Sequence, residues 1–424
     1  MKLLHRENTR KSGGVKAVIY EEWTPDCEKF SWTEVAPGEY HIEVIITESI
    51  SDPLLPPAFV PVEELIEQQI IDGLQPGAQL CVALDGEVVA DFAVGETVVD
   101  SGISLTTNSV MPLFSSAKPI TAVALGVLVD MGRLNLDDPV ATHIPEFSAH
   151  GKSAIQVRHV MNHTSGLVEY VLADGEANHT EVIARLSDSH PIDDWTPGER
   201  SAYLPTAGWH ILGEVIERAS GSSFESFVYD FVIDPLEMTD TYPNIDPVTA
   251  INLVDRLGAM HDSRISPMSV HPAYTPGRMG RFLSPGSTFH GTAHDMVKFY
   301  SMLLNDGMTS NGEKIISTEM VASLTSRQHE GLLDETFGVV MDRGLGFFID
   351  SQRHSPAVPY GYGTAASPIT FGHGGKGSST GFADPERGLA VSIVFNGMQS
   401  EPKHDRRLKQ VLATVYQAIS IGLI

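Results

Sequence analysis

Apolar and polar positions along this chain change period several times, and each change marks an element. Val15–Tyr20 and Tyr40–Ile46 alternate or run apolar between turn residues, the pattern of short strands. A Pro-rich joint from Pro53 to Pro61 separates them from the rest of the chain. Val62–Ile71 then repeats its apolar positions with helical spacing. Pro76-Gly77 turns the chain into the apolar run Ala78–Leu84, Asp85-Gly86 is a two-residue hairpin signal, and Glu87–Val94 returns as the paired strand. A second helix carries Ile120–Leu125 and ends near Gly132.

Residues 135–295 hold several helical stretches broken by Pro and Gly, and the part from 240 to 290 is loop-rich, as a segment covering a site would be. Leu345–Ile349, Ile369–His373 and Leu389–Phe395 read as strands, and residues 403–420 as a closing helix. The order helix, strand pair, helical middle, strands, helix predicts an α+β fold. An antiparallel sheet is flanked by terminal helices, with a mainly helical subdomain inserted. The expected organisation is a strand-rich extension over 1–58 and a main domain over 59–424. Its sheet-bearing part spans about 59–134 and 295–424, and its helical part about 135–294.

Charge narrows the function. Lys+Arg 28 against Asp+Glu 54 gives a net charge of −26. Nucleic-acid binding needs a basic face, and anionic membrane attracts basic segments, so neither partner is expected. The excess of acid serves solubility. Two cysteines, Cys27 and Cys81, form no disulfide framework and match no zinc spacing. Met1–Gly14 is basic and polar without the apolar core of a secretory signal, and no apolar run of about 18 residues occurs, so a cytoplasmic location is expected.

The chemistry concentrates in Phe114-Ser115-Ser116-Ala117-Lys118-Pro119. Residues three apart on a helix are neighbours, so the Ser115 hydroxyl and the Lys118 amine can touch. A serine is a poor nucleophile until a base takes its proton, and a lysine is one such base. Tyr203 follows the Pro197-Gly198 turn, ahead of a helix that opens with Gly208-Trp209. Two further phrases stand out, Arg158-His159-Val160-Met161-Asn162-His163-Thr164-Ser165-Gly166-Leu167 and Phe371-Gly372-His373-Gly374-Gly375-Lys376. His159 and His163 have the four-residue spacing of a metal pair on a helix, but no Glu lies between them and no third ligand is evident. No metal and no cofactor is expected.

These motifs, in this order, make residues from about 60 to the end resemble the serine β-lactamase and penicillin-binding-protein superfamily. The resemblance is to the branch holding class C β-lactamases, family VIII carboxylesterases and statin side-chain acyltransferases. The phrases Ser-x-x-Lys-Pro, Arg-His-x-x-x-His-Thr-Ser-Gly-Leu and Gly-His-Gly-Gly, followed by Gly381-Phe382-Ala383-Asp384-Pro385-Glu386, are most similar to the esterase side. Lys16–Trp23 and Pro37-Gly38-Glu39 faintly resemble the opening strands of medium-chain alcohol dehydrogenases, though no dinucleotide fingerprint follows.

The resemblance implies an acyl-enzyme on Ser115, with Lys118 and Tyr203 sharing its proton. It implies an oxyanion hole from the backbone N–H groups of Ser115 and Lys376. It places His373, Gly374, Gly375 and Trp209 against the substrate. His373 stands where the β-lactamases carry a lysine, and Tyr203-Leu204-Pro205 lacks the asparagine that holds an antibiotic side chain. The spacing from Tyr203 to Trp209 is one residue shorter than in the esterase branch. The expected activity is therefore hydrolysis of a small-molecule carboxylic ester. The alternative is acyl transfer to an alcohol or amine in small-molecule biosynthesis. β-Lactamase or D-amino-acid peptidase activity, or a non-catalytic binding role, comes after these.

Overall fold

The computed structural model describes residues 54–169, 178–274, 283–356 and 358–422, together with the backbone of 31–36 and 39–43. The chain divides into two compact units, Met1–Asp52 and Pro53–Ile424. In the first, β1 (Ser31–Ala36) and β2 (Glu39–Glu43) pair antiparallel. The expected strand at Val15–Tyr20 lies outside the described residues.

The second unit is organised around a six-stranded antiparallel sheet. Its strands are β3 (Gly77–Leu84), β4 (Glu87–Gly95), β5 (Phe348–Ile349), β6 (Phe371–Gly375), β7 (Ser379–Asp384) and β8 (Leu389–Phe395). Their order across the sheet is β5-β6-β7-β8-β3-β4. The β3–β4 hairpin turns on Asp85 and Gly86 with φ of 48° and 86°. Both values are left-handed, the requirement of the tight turn whose twist matches the flanking strands, and Asp-Gly meets it at low cost.

The central strand β8 shows how the sheet is covered. Leu389, Val391, Ile393 and Phe395 pack with Val62 and Ile66 of α1 (Val60–Ile71) and with Leu408, Val411, Leu412 and Val415 near the chain end. Ala390 and Val394 join the opposite core. The helices that reach this second core include α2 (Lys118–Asp130), α3 (Val157–Met161), α4 (Ala207–Ser220) and α5 (Ala293–Leu304). The chain closes in α6 (Glu401–Gly422), which runs beside α1. Period-two side chains thus feed two apolar layers from one strand. α2 is buried continuously from Lys118 to Leu128, as its uninterrupted apolar run requires.

Two strands differ from their sequence pattern. Pairing in 345–349 is confined to Phe348–Ile349, because Gly344 donates its N–H to Phe347 O and Gly346 turns at φ 81° to bond Met161 O. β6 starts at Phe371, after a turn in which Thr370 N–H reaches Ser367 O, and runs on through Gly374 and Gly375. α3 ends at Met161, so His163 is not on it; it sits beyond in a left-handed conformation (φ 61°). Asn162 and His163 leave the helix there, so His159 and His163, four apart in sequence, do not share one helix. Among the described residues no helix is long and apolar enough to cross a membrane.

Candidate active site

Ser115 is presented by a tight 3-10 turn, Phe114–Ala117, from which α2 starts at Lys118 with Pro119 in its first turn. Proline is tolerated there because its missing N–H would have no helical partner. Phe114 enters the turn at φ 50°, a strained value for an aromatic residue. Strain of this kind costs about 1–3 kcal/mol and persists only where surroundings enforce it. Here the enforcement is visible. The Phe114 ring is buried edge-on against Tyr274, with centroids 4.8 Å apart. Leu113 O accepts from Ser116 Oγ at 2.6 Å and from Ser379 Oγ at 2.8 Å, which ties the turn to β7. A methyl on Gly375 would overlap Leu113 O, so β6 passes the turn this closely only as glycine.

The Lys118 side chain is fully buried and its amine has three acceptors. Nζ donates to Pro205 O and Gly286 O at 2.8 Å each and lies 2.9 Å from Ser115 Oγ. The two carbonyls fix two N–H directions, so the remaining position of the amine faces the serine. Burial lowers its pKa from 10.5 to about 7, against the opposing pull of the Glu169 carboxylate. The Trp209 ring supplies part of the apolar wall, 5.1 Å from Nζ.

Tyr203 completes the cluster. Its ring centre is 5.7 Å from Lys118 Nζ, and its hydroxyl interacts with Ser115. Burial pushes its pKa up, while the bond to Ser115 and the nearby Arg343 guanidinium pull it down. The loop carrying it is fastened by the Arg-His-x-x-x-His-Thr-Ser-Gly-Leu phrase. His163 Nδ1 accepts from Leu204 N–H at 3.1 Å, His163 O from Ala202 N–H at 3.0 Å, and Thr164 O from Gly198 N–H at 3.0 Å. Pro205 O reaches Lys118 from this shortened loop.

The residues expected against the substrate are placed unevenly. His373, Gly374 and Gly375 lie along β6. His373 is buried, donates from Nδ1 to Gly374 O at 2.7 Å, and leaves Nε2 an unpartnered acceptor. Burial and the nearby Lys118 hold its pKa well below 6.5, so it is neutral. Lys376 follows β6 directly; its side chain leads away to Tyr274, where Nζ donates to the hydroxyl at 2.9 Å. Trp209 is 0% exposed and is packed behind Lys118 and under Gly286, so it forms the site's back wall. The loop-rich 240–290 segment contributes Tyr274 and Gly286.

Three residues carry no local signal in the sequence. Glu169 accepts from Thr206 Oγ1 and from the N–H groups of Thr206 and Ala207 (3.2 Å each), capping α4 beside the site. Asp334 and Arg343 form a fully buried ion pair behind Tyr203. Elsewhere among the described residues, two groups of possible ligands gather, Cys81 with Asp91 and His294, and His179 with Glu214 and Glu217. Each is already joined by a short His–carboxylate bond, 2.8 Å for His294–Asp91 and 2.7 Å for His179–Glu214.

Comparison with known proteins gives the family of the chain. The chain is 25% identical to the esterase/beta-lactamase LipL of Mycobacterium tuberculosis over 349 residues, 76% of this chain and 78% of that protein. It is 26% identical to esterase EstB of Burkholderia gladioli over 373 residues, 79% of this chain and 89% of that one. The crystal structure of a family VIII carboxylesterase superposes with a TM-score of 0.71 at 25% identity, covering 86% of this chain and 98% of the other. The model of the Beta-lactamase family matches residues 62–416, from the first helix to the last and across every element that builds the Ser115 cluster. On that span the chain belongs to the beta-lactamase family.

Proposed function

We propose that the protein is a serine esterase that cleaves a small-molecule carboxylic ester through an acyl-enzyme on Ser115. The observation that carries this reading is the contact of Ser115 Oγ with a buried Lys118 amine at 2.9 Å, whose pKa of about 7 leaves much of it neutral at neutral pH. A base poised near the working pH is the most effective proton acceptor. Tyr203, pushed upward by burial, keeps its proton and suits the opposite role.

The steps then balance. Ser115 Oγ attacks the ester carbonyl as its proton passes to Lys118. The oxyanion takes hydrogen bonds from the backbone N–H groups of Ser115 and Lys376. The ester C–O bond breaks as Tyr203 protonates the leaving alcohol, and Lys118 returns the serine's proton to Tyr203. Water attacks the acyl-enzyme by the same route in reverse and releases the acid. Gly374 and Gly375 let β6 approach the acyl group, and neutral His373 keeps Nε2 as a buried acceptor beside the Tyr203 ring. Trp209 shields Lys118 from water.

Relatives described as esterases and a family VIII carboxylesterase structure support this class. A cytoplasmic place of action, with neither nucleic acid nor membrane as partner, fits the charge of −26 and the free thiol of Cys81. Transfer of the acyl group to an alcohol or amine uses the same intermediate and is the alternative outcome.

The test is intact-mass analysis after adding p-nitrophenyl acetate and butyrate. Wild type gains one acyl group and releases nitrophenol, and Ser115→Ala does neither while keeping its circular dichroism. A folded wild type without adduct or product, or a Ser115→Ala variant with normal turnover, overturns the reading. Product analysis with and without added alcohol separates hydrolysis from transfer.

A further inference from the structure

A fully buried arginine is expensive unless its donors are satisfied, and Arg343 is not satisfied in that sense. Its Nη2 donates to Asp334 Oδ2 at 2.5 Å, while Nε and Nη1 are buried without a hydrogen-bond partner. The guanidinium is instead directed at aromatic faces. Its carbon lies 5.5 Å from the Tyr203 ring centre and 4.5 Å from that of Phe348. Asp334, also 0% exposed, is committed to the chain around Tyr203. Its Oδ1 accepts from the N–H groups of Tyr203 (3.3 Å), Thr336 (3.0 Å) and Phe337 (3.0 Å). Thr336 Oγ1 donates in turn to Tyr203 O at 3.0 Å. The carboxylate therefore holds the backbone of Tyr203, and the guanidinium faces its ring.

We propose that Arg343, held by Asp334, is a positioning residue that fixes the Tyr203 phenol at Ser115 and provides the permanent positive charge against which Tyr203 gives up its proton to the leaving alkoxide. This rests on the esterase reading above and deepens it.

The charges around Tyr203 single out Arg343. His163 and His373 face it and are kept neutral by burial. Lys118, with a pKa of about 7, becomes a second cation when it takes the serine proton but gives that charge up as it reprotonates Tyr203, whereas Arg343 keeps its charge throughout the cycle. Glu169 and Glu401 are the groups whose charge opposes a tyrosinate, while the Tyr360 phenol is held neutral by burial and Glu401. A guanidinium stays charged at every accessible pH. When Tyr203 passes its proton to the leaving oxygen it becomes a tyrosinate until Lys118 reprotonates it, and a cation close to its ring favours that short-lived anion. The unsatisfied donors are what this task leaves behind: an arginine serving only to stabilise the fold would spend them on backbone carbonyls.

Leaving-group dependence separates this role from general support. Protonation matters little when the departing oxygen is the weakly basic p-nitrophenolate and much when it is an alkoxide. Arg343→Met, Arg343→Lys and Asp334→Asn would be assayed on p-nitrophenyl, phenyl and ethyl esters of one acid. For Arg343→Met the expected loss in kcat/KM is ~10²-fold on the ethyl ester, of the size of general acid catalysis, and within about threefold on the p-nitrophenyl ester. Arg343→Lys, which keeps a charge, recovers part of the ethyl-ester loss. Asp334→Asn falls on all esters, because the loop carrying Tyr203 loosens. Equal losses on all three esters in either Arg343 variant overturn the proposal, and if Arg343→Met fails to fold, Arg343→Lys decides by the same slope. Wild-type burst acylation with p-nitrophenyl acetate in the same experiment shows whether the Ser115 reading itself stands.

Discussion

Replacing Lys118 by methionine tests the physical basis of the site without measuring catalysis. An amine held at about 7 in the folded protein but at its ordinary 10.5 in the unfolded chain costs the fold about 5 kcal/mol wherever it must be buried charged or stripped of a proton, at about 1.4 kcal/mol per unit. The sign comes from proton counts. Between pH 7 and 10.5 the unfolded chain carries the proton and the native state has lost it, so native stability rises with pH across that window. The penalty is full below about pH 7 and gone above 10.5. Methionine has similar length and no charge, so its variant lacks this dependence. It does leave Pro205 O and Gly286 O without their N–H donors, at about 1–3 kcal/mol each, and that loss does not change with pH.

The difference in unfolding free energy between wild type and Lys118→Met should therefore move by about 3 kcal/mol in favour of wild type from pH 6 to pH 9.5. Urea unfolding at half-unit pH intervals, with the denaturant slope checked for each variant, measures it. The other titrating groups are shared; His163, His210 and His373, whose pKa values Lys118 also lowers, are held below 6.5 chiefly by burial, so their contributions largely cancel above pH 6. Curves that run parallel within about 0.5 kcal/mol would show that the amine keeps an ordinary pKa. The assignment of Lys118 as the base would then fail with it. Activity offers the matching readout: kcat/KM of wild type should rise with pH through about 7 as the amine becomes neutral.

Other expectations rest on single contacts. Tyr203→Phe should lower kcat on alkyl esters by ~10²–10⁴-fold, because the phenol proton is lost while the ring keeps its packing; steady-state kinetics checks it. Gly375→Ala should cut turnover and raise the mobility of the nucleophile turn, since the methyl meets Leu113 O and Ser379 Oγ; unchanged kinetics would refute the close approach of β6. Gly86→Ala should cost about 1–2 kcal/mol of stability by forcing a left-handed alanine into the β3–β4 turn, with activity untouched, as thermal unfolding and an esterase assay would show.

The parts of this molecule that are legible in the sequence are those whose cause is local. Asp85-Gly86 announces a hairpin because two adjacent residues must both turn left-handed, and they do. Ser115 and Lys118 announce a contact because one helical turn separates them, even though the turn is 3-10 at the serine and α only from the lysine. The strand Leu389–Phe395 is legible for the same reason, a run of apolar residues feeding two layers. The Arg-His-x-x-x-His phrase is visible, but its meaning is not: helical spacing suggests a pair of ligands, while the helix stops at Met161 and His163 turns away to hold the Tyr203 loop.

Glu169 and Arg343 lie in connecting segments and Asp334 in a two-residue strand, Leu333–Asp334, where nothing periodic marks them, and each acts on a partner far away in sequence. Their importance arises only when the fold brings a charge into a space that excludes water. A charge there exerts a force that solvent screening relieves little. The same logic reassigns Trp209. The family resemblance implies a substrate contact for it, yet a ring with no exposed surface beside Lys118 has a different effect. It removes water from one side of the amine and so contributes to the burial that lowers the amine's pKa. The serine motif points to the proposed nucleophile, but the reactivity proposed for it rests on an apolar wall and on ions on other loops. On that reading, a chain that kept Ser-x-x-Lys and opened this wall to solvent would keep the motif and lose the base.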